Sequence, residues 1–192
     1  MTKRFISQPL EVEFIVDANK LKEEMMSLQM RQWTSHVNSR YFSGGWSVIP
    51  LRTLSVLKND HPILQSFQIE SGSDWEDLPL LESLGEISKI VNAIKSPKKS
   101  IRLMKLDAGA NIKPHRDKGL GLKFGEVRLH VPLQHSENVQ FVVDNHTLQM
   151  KPLQPWYVDA DLEHSVKNNG TTARINLVID CVANDWLRAL LH

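Results

Sequence analysis

Beyond residue 100 the chain changes texture. Short segments of β-branched or alternating residues (101–106, 126–133, 139–143, 147–150, 156–158 and 174–182) follow one another, and Gly, Pro, Asn and Asp fill the gaps. Several short strands at such spacing pair into a sandwich or a barrel, and a jelly roll fits this run best.

The first 99 residues mix types. Residues 10–16 (LEVEFIV) alternate apolar and acidic side chains and predict a strand. Asp17 then stands as the N-cap of a helix carrying Leu21, Met25 and Leu28 at helical spacing. A Ser-Gly-Gly turn at 43–45 leads into a strand over 46–54. Residues 75–95 predict a longer helix with Leu81, Leu84, Ile87, Val91 and Ile94 on one face, opened by a capping box of Ser73 and Glu76. Asn184 caps a short final helix holding Trp186, Leu187 and Leu190. The chain shows no repeat, low-complexity run or linker, so one domain over 1–192 is expected, mainly β with flanking helices. Its N-terminal elements lie in 1–99, its jelly-roll core mainly in 100–182 and its last helix in 184–191.

A formal net charge of +1 sets up no field to recruit nucleic acid or an anionic membrane. No apolar stretch approaches the roughly 20 residues that span a bilayer. Gln8, Glu11 and Glu13 interrupt the apolar run a signal peptide needs, and the one cysteine builds no intrachain disulfide, so a cytoplasmic location is expected. Cys181, within LVIDCV, reads as a buried small hydrophobe. The basic run 95–99 (KSPKK) reads as a solvated loop.

The chemistry is concentrated in His115-Arg116-Asp117, then His164, then Arg174. A facial Fe(II) site takes two imidazoles and one carboxylate and leaves other positions open. Residues two apart in an extended segment project to one face, which brings His115 and Asp117 together and turns Arg116 away. Pro114 stiffens the approach, while Gly119 and Gly121 let the chain turn afterwards. The third ligand must come from a distant strand, and His164 opens the short segment HSVKN before an Asn-Asn-Gly turn. Arg174 stands on the apolar strand that follows, where a guanidinium is costly without a partner. A protein carboxylate and a bound dicarboxylate such as 2-oxoglutarate are the two candidates for that partner. In 126–132, alternation puts Arg128 and His130 on one face, towards either a cavity or solvent. Trp46 and Arg52 likewise share a face of WSVIPLR. Arg52 is then a second candidate for a substrate anion or a partner of a protein acid, and Trp46 a core residue or a binding wall.

With these residues in place, the chain resembles the aspartyl/asparaginyl β-hydroxylase family, which includes small bacterial hydroxylases of free amino acids such as proline. The resemblance rests on YFSGGWSVIPLR (41–52), IKPHRD (112–117), EVRLHVPL (126–133), WYVDADLEHSVKN (156–168) and ARINLVIDC (173–181). It implies a double-stranded β-helix of the cupin-like kind, with Fe(II) on His115, Asp117 and His164. It also implies 2-oxoglutarate as cosubstrate with Arg174 on its distal carboxylate, and Arg128 and His130 lining the cosubstrate and substrate cavity. The reaction implied uses O2 to hydroxylate a C–H bond, with succinate and CO2 as coproducts. Animal members carry glycine where this chain has Asp117, so the likeness is closer to bacterial members with a complete triad. A small substrate bearing a carboxylate, an amino acid or a derivative, follows from that likeness and from the surplus of arginines. Two other readings share these residues: a cupin-like metalloenzyme that does not use 2-oxoglutarate, and a non-enzymatic ligand-binding jelly roll.

Overall fold

Alternating sequence becomes paired strand over most of the chain. The computed structural model describes residues 7–29, 31, 33–37, 39–67, 72–135 and 138–191. The first six residues, on which the expectation against a signal peptide partly rests, lie outside the described residues. The strands are β1 (Gln8–Pro9), β2 (Thr34–Ser35), β3 (Phe42–Ser43), β4 (Trp46–Leu54), β5 (Trp75–Asp77), β6 (Lys98–Leu106) and β7 (Asn111–His115). They continue as β8 (Glu126–Gln134), β9 (Val139–Val143), β10 (His146–Thr147), β11 (Trp156–Val158), β12 (His164–Asn168) and β13 (Arg174–Val182). The helices are α1 (Ala18–Gln29), α2 (Pro62–Ser66), α3 (Pro79–Ser83), α4 (Gly85–Ala93) and α5 (Asp185–Ala189).

All pairings are antiparallel and form two sheets. The larger runs β1-β11-β8-β13-β6-β4-β2 with β5 beside β4, and the smaller runs β10-β9-β12-β7-β3. This is a jelly roll. The outer face of the large sheet carries Ile49, Leu51, Ile101, Leu103, Val127, Leu129, Ile175 and Leu177. These pack with Leu21, Met25 and Leu28 of α1 and Ile87, Ile90 and Val91 of α4 in one apolar core. Between the sheets lies a second apolar group that draws on both of them, including Trp46, Leu106, Ile112, Phe141 and Val166.

Several elements differ from expectation. Residues 10–16 form no ladder, because the chain leaves the sheet edge after Pro9. Leu10 donates to Pro155 O, Val12 bends back onto Leu10 O, and Val12, Phe14 and Val16 pack on the core from a loop. The helix expected over 75–95 is three elements. Asp77 and Glu76 pair with β4, Pro79 opens α3 at a position that needs no N–H, and the backbone breaks at Leu84 (φ −106°, ψ 83°). Its apolar face is buried all the same. No capping box forms at Ser73. The α4 N-terminus is capped across the fold by Glu24 of α1, whose carboxylate accepts from Glu86 N (2.7 Å) and Ile87 N (3.1 Å). The strand expected over 147–150 shortens to β10, and β6 starts at Lys98, inside the expected basic loop. The sheets also recruit β3 and β4, so strand pairing central to the jelly roll begins well before residue 100. The caps at Asp17 and Asn184 form as their residue types predict, and Cys181 is fully buried.

Candidate metal centre and active site

Strand alternation decides which side chains enter the space between the sheets. On β8, Val127, Leu129 and Val131 go to the outer core, so Arg128 and His130 face inward. On β13, Ile175, Leu177, Ile179 and Cys181 point outward, which turns Arg174, Asn176 and Asp180 inward. His115 at the end of β7, Phe141 of β9 and His164 and Val166 of β12 reach in from the small sheet. With Trp46, Arg128, His130, Arg174 and Asp180 they line a cavity of about 600 Å³.

His115 and His164 stand opposite one another in the β7–β12 register, with ring centroids 4.2 Å apart. Each Nδ1 lies on the carbonyl oxygen two residues earlier, Lys113 O at 2.8 Å and Leu162 O at 3.0 Å. Assigning the proton to Nδ1 on these contacts leaves both Nε2 lone pairs free for a ligand. Asp117 sits just past β7, its backbone N–H bonded to Ala160 O (2.9 Å), and its Oδ1 is 3.8 Å from His115 Nε2. Donor atoms of His115, Asp117 and His164 all lie within 4.8 Å of one another. Burial, reinforced by the neighbouring His115, pushes the His164 imidazole down to about 4, so it is neutral and ready to ligate near pH 7. Burial alone would raise the Asp117 carboxyl, but Arg128 and the two imidazoles hold it below the usual carboxylate range. Two imidazoles anchored through Nδ1 and one ionised carboxylate fit Fe(II). Arg116, expected to turn away, is exposed at the rim of the same cavity.

The arginines divide sharply. Arg174 is 5% exposed, and among the described residues no carboxylate pairs with it. Burial lowers its guanidinium to about 10, with no anion to offset that cost. Its Cζ lies 5.3 Å from the Phe141 ring centroid. With its amide oxygen turned inward, Asn176 accepts from Arg174 Nη2 (2.5 Å) and His130 Nδ1 (3.2 Å). Burial and the Arg174 charge keep His130 neutral, far below its ordinary pKa.

Arg128, by contrast, is already committed. Its Nε and Nη2 donate to Asp180 at 2.7 and 3.0 Å, and its Nη1 donates to Asp117 Oδ2. Arg128 lines the cavity, and each of its nitrogens already donates one hydrogen bond to a protein carboxylate. Of the two partners expected for Arg52, the structure shows the protein acid. The β4–β6 register slips between Pro50 and Arg52, which sets Arg52 opposite Ile101 of the outer core. There it donates to Asp77 Oδ1 (2.5 Å) and Trp75 O (2.8 Å), and it does not line the cavity. Trp46 does line it, stacked on His36 with centroids 3.8 Å apart.

Sequence reasoning missed Arg102, Asn176 and Asp180. Arg102 is 1% exposed and donates to Asp180 Oδ2 (2.9 Å) and Ser100 Oγ (3.1 Å), while its Nε and Nη2 have no partner. Its Cζ lies 5.5 Å from the ring centroid of Phe67, a cavity residue. The signal was present: 174, 176 and 180 share one parity on β13, and Arg102 interrupts an apolar strand.

The model of the aspartyl/asparaginyl β-hydroxylase family matches residues 17–184, nearly the whole chain. The chain belongs to that family. It is 24% identical over 177 residues to an L-proline cis-4-hydroxylase of Rhizobium meliloti, covering 92% of this chain. The match spans 61% of that relative's length. A crystal structure of a 2OG-Fe(II) oxygenase family oxidoreductase from Burkholderia pseudomallei shares the fold. Its TM-score is 0.54 at 13% identity, over 88% of this chain and 83% of the other. Among the described residues no helix is long and apolar enough to cross a membrane.

Proposed function

We propose that this family member binds Fe(II) through His115, Asp117 and His164 and 2-oxoglutarate through Arg174. With O2 it then hydroxylates a C–H bond of a small carboxylate-bearing molecule, an amino acid or a derivative of one. The observation that carries the reading is Arg174: a buried cation on the wall of the cavity that holds the metal-ligand cluster, without a protein anion among the described residues. A guanidinium in that setting is matched to a bidentate carboxylate. Together, Fe(II), 2-oxoglutarate and O2 supply oxidation of an unactivated C–H bond, with succinate and CO2 as coproducts. The chain's own part is orientation and exclusion of water. His115 and His164 are locked by their Nδ1 bonds, Asn176 steadies Arg174 and neutral His130, and Trp46 and Phe141 wall the space.

A free amino acid as substrate is supported by the proline hydroxylase relative.

The test is anaerobic titration of Fe(II) and then 2-oxoglutarate, followed by the weak visible charge-transfer band of the chelate. The band is expected with the native chain, and the His115→Ala, His164→Ala double variant should bind no iron. Charge-assisted hydrogen bonds contribute roughly 1.5–3 kcal/mol, so Arg174→Ala should weaken 2-oxoglutarate about ten- to a hundredfold. Arg174→Lys should also be impaired, because an ammonium does not reproduce the planar fork. Unchanged 2-oxoglutarate affinity in Arg174→Ala would refute the cosubstrate assignment.

A further inference from the structure

Asp180 lies at the back of the cavity, 3% exposed, and does nothing in the reading above. It stands directly across the β8–β13 ladder from Arg128 and takes that guanidinium in a two-point grip, Nε on Oδ1 (2.7 Å) and Nη2 on Oδ2 (3.0 Å). Its Oδ2 also accepts Arg102 Nη1 (2.9 Å). Burial opposes the Asp180 charge, yet the two guanidinium groups hold it ionised well below the usual carboxylate range. The far end of the Arg128 fork, Nη1, then falls on Asp117 Oδ2. A continuous chain of charge thus runs Arg102, Asp180, Arg128, Asp117.

We infer that Asp180 is a positioning residue for the metal centre. By holding the plane of Arg128 it directs Nη1 onto one oxygen of Asp117, and so leaves Oδ1, the oxygen beside His115 Nε2, as the single carboxylate oxygen offered to the metal. This rests on the reading of His115, Asp117 and His164 as metal ligands. A fork gripped at two points cannot rotate about its long axis, whereas Arg128 bonded to Asp117 alone keeps that freedom. Partners beyond the ligands commonly set ligand orientation and affinity in this way. The competing account is that Asp180 only neutralises two buried arginines. That account assigns it an effect on stability and none on the metal.

The probe is Co(II) alone, titrated anaerobically into the full chain and followed by its visible ligand-field spectrum. Asp180→Asn is expected to bind Co(II) about ten- to a hundredfold more weakly. Its spectrum should also differ, because both Asp117 oxygens become available. The Arg102→Met, Asp180→Leu double variant removes the partner charge along with the acid. Such apolar replacement of a buried pair is commonly tolerated by a fold, so this variant tests the point if Asp180→Asn does not fold. It should show the same weakening. Wild-type Co(II) affinity and spectrum in either folded variant, with only a lower melting temperature, would overturn the inference and leave the metal reading intact. A native chain that takes up no Co(II) would defeat both.

Discussion

At the scale of residues, the three arginines singled out in the sequence and Arg102, which was not, have four different fates. Arg52 binds Asp77 outside the cavity, Arg128 is gripped by Asp180 and Asp117, and Arg174 has no protein anion among the described residues. Arg102 has one, but its Nε and Nη2 stay bare. A bare buried donor carries the full cost of desolvation, and a ligand that satisfies it recovers that cost. For whichever amino acid stimulates succinate release by the native chain, the methyl ester should be a poor substrate. An ester turned over as well as the free acid would rule out a carboxylate anchor.

At the scale of elements, the turn that follows the first two candidate ligands is a demanding piece of backbone. Gly119 sits at φ +87°, where an L side chain is strained, and a Cβ on Gly121 would come within 2.7 Å of Asp159 Oδ1. The turn is tied down from the other side by Asp161. Its Oδ1 accepts from Gly119 N (3.1 Å), and its Oδ2 pairs with Lys123 (2.8 Å). Because Asp117 lies at the start of this turn, strain there is felt at the metal site. Gly119→Ala is expected to cost on the order of 1–2 kcal/mol, which lowers the melting temperature by about 2–4 °C per kcal/mol in a chain of this size. It should weaken Co(II) binding as well. A melting curve superimposable on the native one would show that the turn absorbs the change.

At the scale of the whole molecule, the large sheet divides two environments, an apolar core against α1 and α4 and a polar cavity facing the small sheet. The cavity holds imidazoles that burial keeps neutral: His36 is lowered from 6.5 to about 4, and His130 lies well below its ordinary value. In the unfolded chain both take up protons as pH falls through about 6.5, while the fold refuses them until lower pH. The unfolded state thus binds more protons across that window, and stability rises with pH there. The metal-free chain should therefore have a lower urea midpoint at pH 5 than at pH 7. The His36→Gln, His130→Gln double variant should narrow the difference. Equal midpoints at the two pH values for the native chain would contradict this account.

Short-range order was legible in the residues themselves. Turn chemistry and period-2 alternation announced the jelly-roll strands, and the same alternation put Arg128 and His130 on one face, which the packed sheets turn inward. The His115, Asp117 and His164 grouping was legible too, because two members are neighbours and the third opens a strand. Other features belong to pairs of strands and follow from how those strands pack. The slip after Pro50 that sends Arg52 outward depends on how β4 meets β6. The helix expected over 75–95 lost its first turn to pairing with β4, and its remaining face was buried by contacts with α1 and the sheet. Which arginines meet an acid was decided in the same way. Asp180 lies 52 residues from Arg128 along the chain yet opposite it in the ladder, while Leu106 stands opposite Arg174. Local pattern sets which face of a strand a charge occupies, but its partner is set by register, which is a long-range property of the packed sheets.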